Sequence, residues 1–391
     1  MRDKKIYSEE IRRCPICVKN SRMSNSEHLC KITGKRIGKK YIHNITTKIS
    51  ICEECGFVFA NPVVPQKEWD KYYNDMYVGF QSHEDYSIEN RIALIKRYMQ
   101  SDERIIEIGG NEQGVFSEKL KSIYSDYLSY DVNENANNTA RVMTQLARTD
   151  MLISYCVLEH IVDIDLFLKK CTDLLVENGV FLIEVPDLTE YYRNASSLTF
   201  NEHVNHFTPQ TLTRLMNNYG FTLVEINKKY ASRELTFVGV YRKSSVKDKN
   251  IEYKINKSFV LEAIDTMLQE ESSFIHIVEE IHHIYGKNNL KDVVFWCASG
   301  TLTTLIDEYQ KRYGVFEGIV VDEDKCKKDY YVDLPVYVSK DVFLSEKGNA
   351  IKTIIICSER RVESIMKTIH EYGRDELEIL YIDENKELKS W

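Results

Sequence analysis

The chain has 391 residues, 43% of them hydrophobic and 29% charged, which is too long for one ordinary core and points to two or three domains. Its formal net charge of −8, with no long Lys/Arg run, excludes a phosphate-tracking surface and argues against nucleic acid as a partner. No apolar run has the length of a membrane span, Met1-Arg2-Asp3-Lys4-Lys5 leads into no signal peptide, and ten cysteines fit a reducing compartment, so a cytoplasmic protein without a membrane partner is expected.

The first 65 or so residues carry Cys14-Pro15-Ile16-Cys17 and Cys52-Glu53-Glu54-Cys55-Gly56, two knuckles with 34 residues between them. A two-residue spacing lets both thiolates of a turn face one ion, and two knuckles complete a tetrahedral zinc site. Cys14, Cys17, Cys52 and Cys55 fill that site, so the metal is expected to be structural; Cys30 and His28 lie between the knuckles as spectators. Strand-like runs occur at 41–45 and 57–59, and Asn61-Pro62 closes the segment. A Tyr-rich connector follows (Trp69, Tyr72, Tyr73, Tyr77), then an amphipathic stretch over 84–98 with Ile88, Ile92, Ile95 and Tyr98 on one face.

From residue 104 short apolar strands alternate with helices: strand 104–108, helix 115–123, strands 127–130 and 151–154, helix 164–175, strand 180–185. Such alternation predicts parallel strands with helical crossovers. A helix over 211–219 and strands at 222–226 and 235–241 follow, and 244–250 reads as a polar linker. Beyond it come a long helix at 259–285 and a second alternating unit: strand 293–296, helix 302–312, strands 318–321, 336–338 and 353–357, helix 361–369, strand 378–382. The division drawn from this pattern is a zinc-binding domain at 1–75, a central domain at 76–245 and a C-terminal α/β domain at 246–391. His276, His282 and His283 on the long helix read as solvated.

The run Ile105-Ile106-Glu107-Ile108-Gly109-Gly110-Asn111-Glu112-Gln113-Gly114 leaves a strand and opens a helix. Glycines allow close backbone approach to a ligand, and a helix start offers free amides. The run is not the GxGxxG of a dinucleotide site. An acid, Glu107, stands two residues before the first glycine, and a second, Asp131, ends the next strand, where a carboxylate reaches ribose hydroxyls in nucleotide folds. This arrangement resembles the first motif of class I S-adenosylmethionine methyltransferases. The stretch at 133–148 holds one short helix at most where such enzymes have a further strand, which leaves adenine recognition unassigned.

Three further segments extend the resemblance: Tyr155-Cys156-Val157-Leu158-Glu159-His160, Glu184-Val185-Pro186-Asp187, and Phe200-Asn201-Glu202-His203-Val204-Asn205-His206-Phe207. Together with the cysteine pairs they make the chain similar to the sugar C-methyltransferase family over nearly its whole length. The resemblance implies an α/β fold: a class I methyltransferase Rossmann-like domain, an N-terminal zinc domain, and a second C-terminal Rossmann-like domain that forms the wall of the substrate cleft. It implies C-methylation of a nucleotide-linked keto-deoxy sugar through an enolate. His203 is then the leading base, Glu202 the carboxylate that orients it or raises its pKa, and Tyr77 a hydrogen-bond donor to the sugar oxygen. Glu107, Gly109, Gly110, Gly114, Asp131, Tyr155, Glu159 and His160 would line the S-adenosylmethionine site. Two departures stand out: Phe200 where the family often has Tyr, and an added His206, which is a second candidate base. Oxygen or nitrogen methylation of another metabolite, and a non-catalytic zinc-bearing binding protein, are the alternatives. The sequence does not specify an oligomeric state.

Overall fold

The computed structural model of the chain describes residues 4–6, 9–17, 26–37, 42–76, 87–112, 114–131, 146–231, 235–244, 256–286, 290–323, 334–383 and 385–391. Two compact units emerge: one takes in Lys5–Arg36 and His43–Met267, the other Leu268–Trp391 with two short N-terminal pieces. The cysteine-rich segment and the central α/β segment therefore share one unit. Among the described residues, no helix is long and apolar enough to cross a membrane.

The central sheet has six strands in the order Phe221–Asn227, Thr236–Lys243, Leu175–Pro186, Thr149–Tyr155, Ile105–Ile108 and Tyr127–Tyr130. The last four run parallel. The first two form an antiparallel pair that closes against Leu175–Pro186. Both faces are buried, as parallel strands with crossovers require. Side chains alternate accordingly: Ile106, Ile108, Leu152, Phe181 and Ile183 join one core, and Ile105, Met151, Ile153 and Leu182 the other. Helix Ser87–Lys96 covers the second face with Ile88, Ile92 and Ile95, whose spacing puts them on one stripe.

Two boundaries differ from the sequence pattern for physical reasons. Strand Leu175–Pro186 begins five residues before the expected 180 because Asn178 takes a left-handed φ of 62° and the pairing with Thr149–Tyr155 shifts register there. The turn-like Glu177-Asn178-Gly179 is thus absorbed as an irregularity within the strand. Helix Pro209–Asn218 starts two residues early, with Pro209 at its first turn and the Thr208 side chain accepting from the Thr211 amide.

In the N-terminal part a five-stranded sheet pairs Ser26–Ile37 with Ile42–Cys52, and Ile42–Cys52 with Val58–Ala60. Its outer member is Asn205–His206, which joins Val58–Ala60 antiparallel. The Tyr-rich connector is helix Gln66–Met76.

The second unit carries another six-stranded sheet, ordered Val336–Tyr337, Ile319–Val321, Val293–Trp296, Thr353–Ile356, Glu378–Ile382 and Leu388–Ser390. The first five strands are parallel and the last is antiparallel. Helix Gly300–Tyr313 starts where Ser299 accepts from the Leu302 amide at 3.4 Å, and Asp322 accepts from the Ala298 amide at 2.8 Å. His276 and His283 are exposed, whereas His282 stacks on Tyr313 with ring centroids 3.6 Å apart and hydrogen-bonds Tyr309 at 3.1 Å.

Candidate functional site

The glycine loop leaves the carboxyl end of Ile105–Ile108 and enters helix Val115–Ile123. Gly109 has φ +80°, and a Cβ there would lie 2.2 Å from Val157 Cγ2. At Gly110 a Cβ would meet the Glu107 carboxylate at 2.3–2.4 Å and Ser129 Oγ at 2.5 Å. Both glycines are therefore demanded by the protein's own packing. Glu107 is buried and accepts hydrogen bonds from Tyr127 and, at 3.2 Å, from Ser117. Burial pushes its carboxyl above the usual range, opposed by those two hydroxyls and by Arg91. Asp131 follows the neighbouring strand, close enough for its charge to act on Glu107. Gly114 is the N-cap of that helix and makes no side-chain bond to its first amides. Two carboxylates at adjacent strand ends suit the ammonium of an amino acid and the hydroxyls of a ribose, which donate to a carboxylate.

A second cluster forms around His203. Its Nδ1 lies 2.9 Å from the Ser197 carbonyl, which can only accept, so Nδ1 carries the proton and Nε2 the lone pair. His160 approaches with ring centroids 4.8 Å from His203, and Phe200 lies 4.9 Å from His203. His160 Nδ1 is 3.2 Å from the Glu202 carbonyl and 3.0 Å from the Tyr73 hydroxyl. Ligand atoms of Glu159, His160 and His203 all lie within 4.8 Å of one another, with Glu159 and His203 buried. Glu202 is buried and accepts from Tyr72 at 2.8 Å. The structure thus brings His160, Glu159, Glu202 and His203 together. The orienting partner it gives His203 Nδ1 is the Ser197 carbonyl.

His206 sits apart in chemistry. It is buried in the two-residue strand Asn205–His206, with Nδ1 3.4 Å from the Tyr191 hydroxyl. Burial, and then the charge of Arg12, push its pKa down to about 3. A base that weak accepts protons poorly near neutral pH. Tyr77 lies outside the described residues.

Several residues that shape the site carry no local signal in the sequence. Arg12 donates to the carbonyls of Ala60 at 2.9 Å and Val162 at 3.2 Å, to that of Val204, and to Asn205 Oδ1 at 2.8 Å. Asn205 in turn donates to the carbonyls of Leu158 at 3.0 Å and Ile161 at 2.7 Å. The segment bearing His203 is clamped from both sides. Tyr72 and Tyr73 were traceable: Trp69, Tyr72 and Tyr73 stand three and four residues apart, the spacing of one helix face.

On the sheet face beneath helix Ser87–Lys96, a polar layer caps the apolar rows. Arg91 places its guanidinium 4.2 Å from the Tyr155 ring centroid and 5.6 Å from that of Phe116. Its Nη2 is 3.4 Å from Glu184, whose other oxygen accepts from Thr236 at 2.8 Å. Burial opposes the charge on Arg91, but Glu184 and Glu107 outweigh it and hold its pKa above the ordinary value.

The four knuckle cysteines are buried with free thiols in a core that includes Phe57 and Phe207. Cys14 and Cys55 sulfurs are 3.5 Å apart, and Cys17 and Cys52 sulfurs 3.9 Å. Tetrahedral coordination at a Zn–S length of about 2.3 Å puts sulfurs about 3.8 Å apart, which these distances bracket.

Residues 80–226 match the family model described as a methyltransferase domain. The central sheet and its glycine loop have the Rossmann-like α/β fold of class I methyltransferases. The methyltransferase-domain match supports methyltransferase activity for the chain. No curated protein matches the sequence. Among solved structures, similarity extends to the 1,6-didemethyltoxoflavin-N1-methyltransferase of Burkholderia thailandensis, at 15% identity and TM-score 0.39, covering 48% of this chain and 96% of that one. An S-adenosylmethionine-dependent methyltransferase of Clostridium acetobutylicum is similar at 10% identity and TM-score 0.35, covering 46% and 99%. An N-methyltransferase of Bradyrhizobium japonicum is similar at 16% identity and TM-score 0.31, covering 40% and 96%.

Proposed function

We propose that the enzyme methylates a carbon beside the ketone of a nucleotide-linked keto-deoxy sugar. The observation that carries this reading is the His203 imidazole, fixed through Nδ1 on the Ser197 carbonyl at 2.9 Å, in a cluster where ligand atoms of Glu159, His160 and His203 lie within 4.8 Å of one another. Its basic Nε2 removes the proton next to a carbonyl, and the electron pair left behind delocalises onto the sugar oxygen as an enolate. We assign the base to His203 rather than His206, whose pKa of about 3 suits it poorly. Glu202, held by Tyr72, stiffens the segment that carries His203. Glu159 and His160 border the pocket where the enolate forms, and Tyr77 is assigned to its oxygen. S-adenosylmethionine supplies the electrophilic methyl, held by Glu107, Gly109, Gly110, Gly114, Asp131 and Tyr155. In this reading Cys14, Cys17, Cys52 and Cys55 bind a structural zinc ion. Residues 246–391 contribute to binding the nucleotide-sugar, and the three-part division at 75 and 245 is a functional one.

Phe200, whose ring centroid lies 4.9 Å from that of the base and which cannot transfer a proton, favours one second reading: methylation of an oxygen or nitrogen. Incubation of substrate with enzyme in deuterated water separates the two. Exchange at the carbon beside the ketone supports carbon methylation, and a product whose new methyl sits on oxygen or nitrogen would overturn the enolate route. His203→Ala is expected to lower turnover by about 100-fold or more with S-adenosylhomocysteine affinity intact.

A further inference from the structure

Three side chains of the His203 cluster carry metal-binding donors in the chemical form that coordination needs. Glu159 and His160 are neighbours in the helical turn Leu158–His160, and His203 comes from a segment 43 positions further along the chain. Their ligand atoms lie within 4.8 Å of one another, with Glu159 and His203 buried. His160 Nε2 and Glu159 Oε1 are 3.9 Å apart, too far for a direct hydrogen bond. Ligands at about 2.0–2.2 Å around a tetrahedral ion stand about 3.4 Å from one another, so each atom has to move inward by less than about 1 Å. Both rings are also held as ligands are held. A metal-binding imidazole donates its second N–H to a carbonyl or carboxylate, which fixes the tautomer and aims the other nitrogen. His203 has Nδ1 2.9 Å from the Ser197 carbonyl, and His160 has Nδ1 3.2 Å from the Glu202 carbonyl. A carbonyl only accepts, so in each ring Nδ1 carries the proton and Nε2 the lone pair. Phe200 stands edge-on to both imidazoles, its ring centroid 4.9 Å from that of His203 and 6.3 Å from that of His160. The His160 side chain is 19% exposed, which gives an ion a way in.

We propose that Glu159, His160 and His203 bind one divalent transition-metal ion of the zinc or cobalt kind, at a second site that shares no ligand with the four cysteines. Imidazole nitrogens select such ions over magnesium or calcium, which prefer all-oxygen shells. Three protein ligands leave coordination positions for water or substrate. The site itself stands on geometry and tautomers. Its consequence for turnover rests on the base reading: an ion on His203 Nε2 occupies the lone pair that takes the substrate proton. The filled enzyme is therefore shut off, and zinc acts as a reversible inhibitor.

The test titrates the full-length purified protein with Zn2+ by calorimetry and with Co2+ by visible absorption. One added equivalent should bind, and its cobalt form should show d–d bands without the thiolate charge-transfer absorption that a cysteine site gives. His160→Gln and Glu159→Gln should each weaken that equivalent by more than about tenfold, the least that loss of even an orienting partner costs. His160 is the more exposed of the two, so its variant decides the matter if the buried Glu159→Gln fails to fold. Saturating Zn2+ should lower wild-type turnover by about 100-fold, the scale of a lost general base, with recovery on dilution. No added equivalent, a thiolate spectrum for it, or equal affinity in His160→Gln would overturn the site and leave the base reading untouched. An equivalent that His160→Gln loses, but that leaves wild-type turnover unchanged, would confirm the site and overturn His203 as the base.

Discussion

Replacing Gly110 by Ala tests the cofactor loop at its tightest point. The added methyl would sit 2.3 Å from Glu107 Cδ, 2.4 Å from its Oε2 and 2.5 Å from Ser129 Oγ. Reaching ordinary contact requires the carboxylate to retreat by about 1 Å. That movement breaks or stretches the bonds from Tyr127 and Ser117, and hydrogen bonds to a charged group are worth about 1.5–3 kcal/mol each. The reduced freedom of the unfolded chain returns only about 0.4–1 kcal/mol, so with both bonds lost, even at the low end of their range, destabilisation wins by roughly 2–3 kcal/mol. For a unit of this size each kcal/mol moves the unfolding midpoint by about 2–4 °C, which puts the loss at about 4–12 °C. Gly114→Ala is the internal control. Its Cβ comes no closer than 3.1 Å, to the Asn111 carbonyl oxygen, at a φ of −78°, and the cost of Ala at a helix cap is about 1 kcal/mol. Thermal unfolding followed by circular dichroism, with S-adenosylhomocysteine affinity measured alongside, reads both. Midpoints of Gly110→Ala and Gly114→Ala that agree within a degree would refute the packing argument.

His206 should leave a mark on the pH dependence of stability. Its folded pKa of about 3 lies below the ordinary 6.5, so between those values the unfolded chain binds a proton that the folded chain does not. Stability therefore rises with pH through this window and is lost as pH falls, by about 1.4 kcal/mol per pH unit. His206→Gln should remove that slope, leaving wild type about 2 kcal/mol more pH-sensitive between pH 6.5 and 5 in urea melts; parallel curves would refute it. For the cysteine cluster, purified protein should carry one zinc per chain. Stripping the zinc should open the 9–17 and 52–60 segments to protease, whereas equal protease resistance without metal would count against the assignment.

The central sheet was legible because strands buried on both faces read as near-continuous apolar runs. Ile105-Ile106-Glu107-Ile108 and Val180-Phe181-Leu182-Ile183 could hardly be anything else. Helix Val115–Ile123 lies where the pattern put it, since Gly114 precedes it and Tyr124 leaves the helical register. Other features had no local signature. Two residues, Asn205 and His206, form a strand only because Val58–Ala60 offers an edge, and tertiary pairing decides that. His160 and His203 stand 43 positions apart in the chain, and their approach is set by the fold. Arg12 reads as an ordinary basic residue beside a knuckle, yet it reaches three separate segments. Arg91 occupies a polar position on an amphipathic helix, and only the fold reveals that the position faces Tyr155 and Glu184.

These contacts connect the cysteine cluster to the proposed reaction site by a short physical path. Cys14 lies two residues from Arg12, and Arg12 fixes the backbone at Val204 and the side chain of Asn205, immediately after His203. Val58–Ala60, which follows the second knuckle by three residues, holds the far side of the same segment through the pairs Val58 with His206 and Phe59 with Asn205. Loosening either knuckle would release the clamp on His203 while leaving Glu107 and the glycines on their own sheet untouched. A mutation such as Cys14→Ser should therefore depress turnover more than it depresses S-adenosylhomocysteine affinity. The opposite order would mean that the knuckles support the cofactor loop instead of the base.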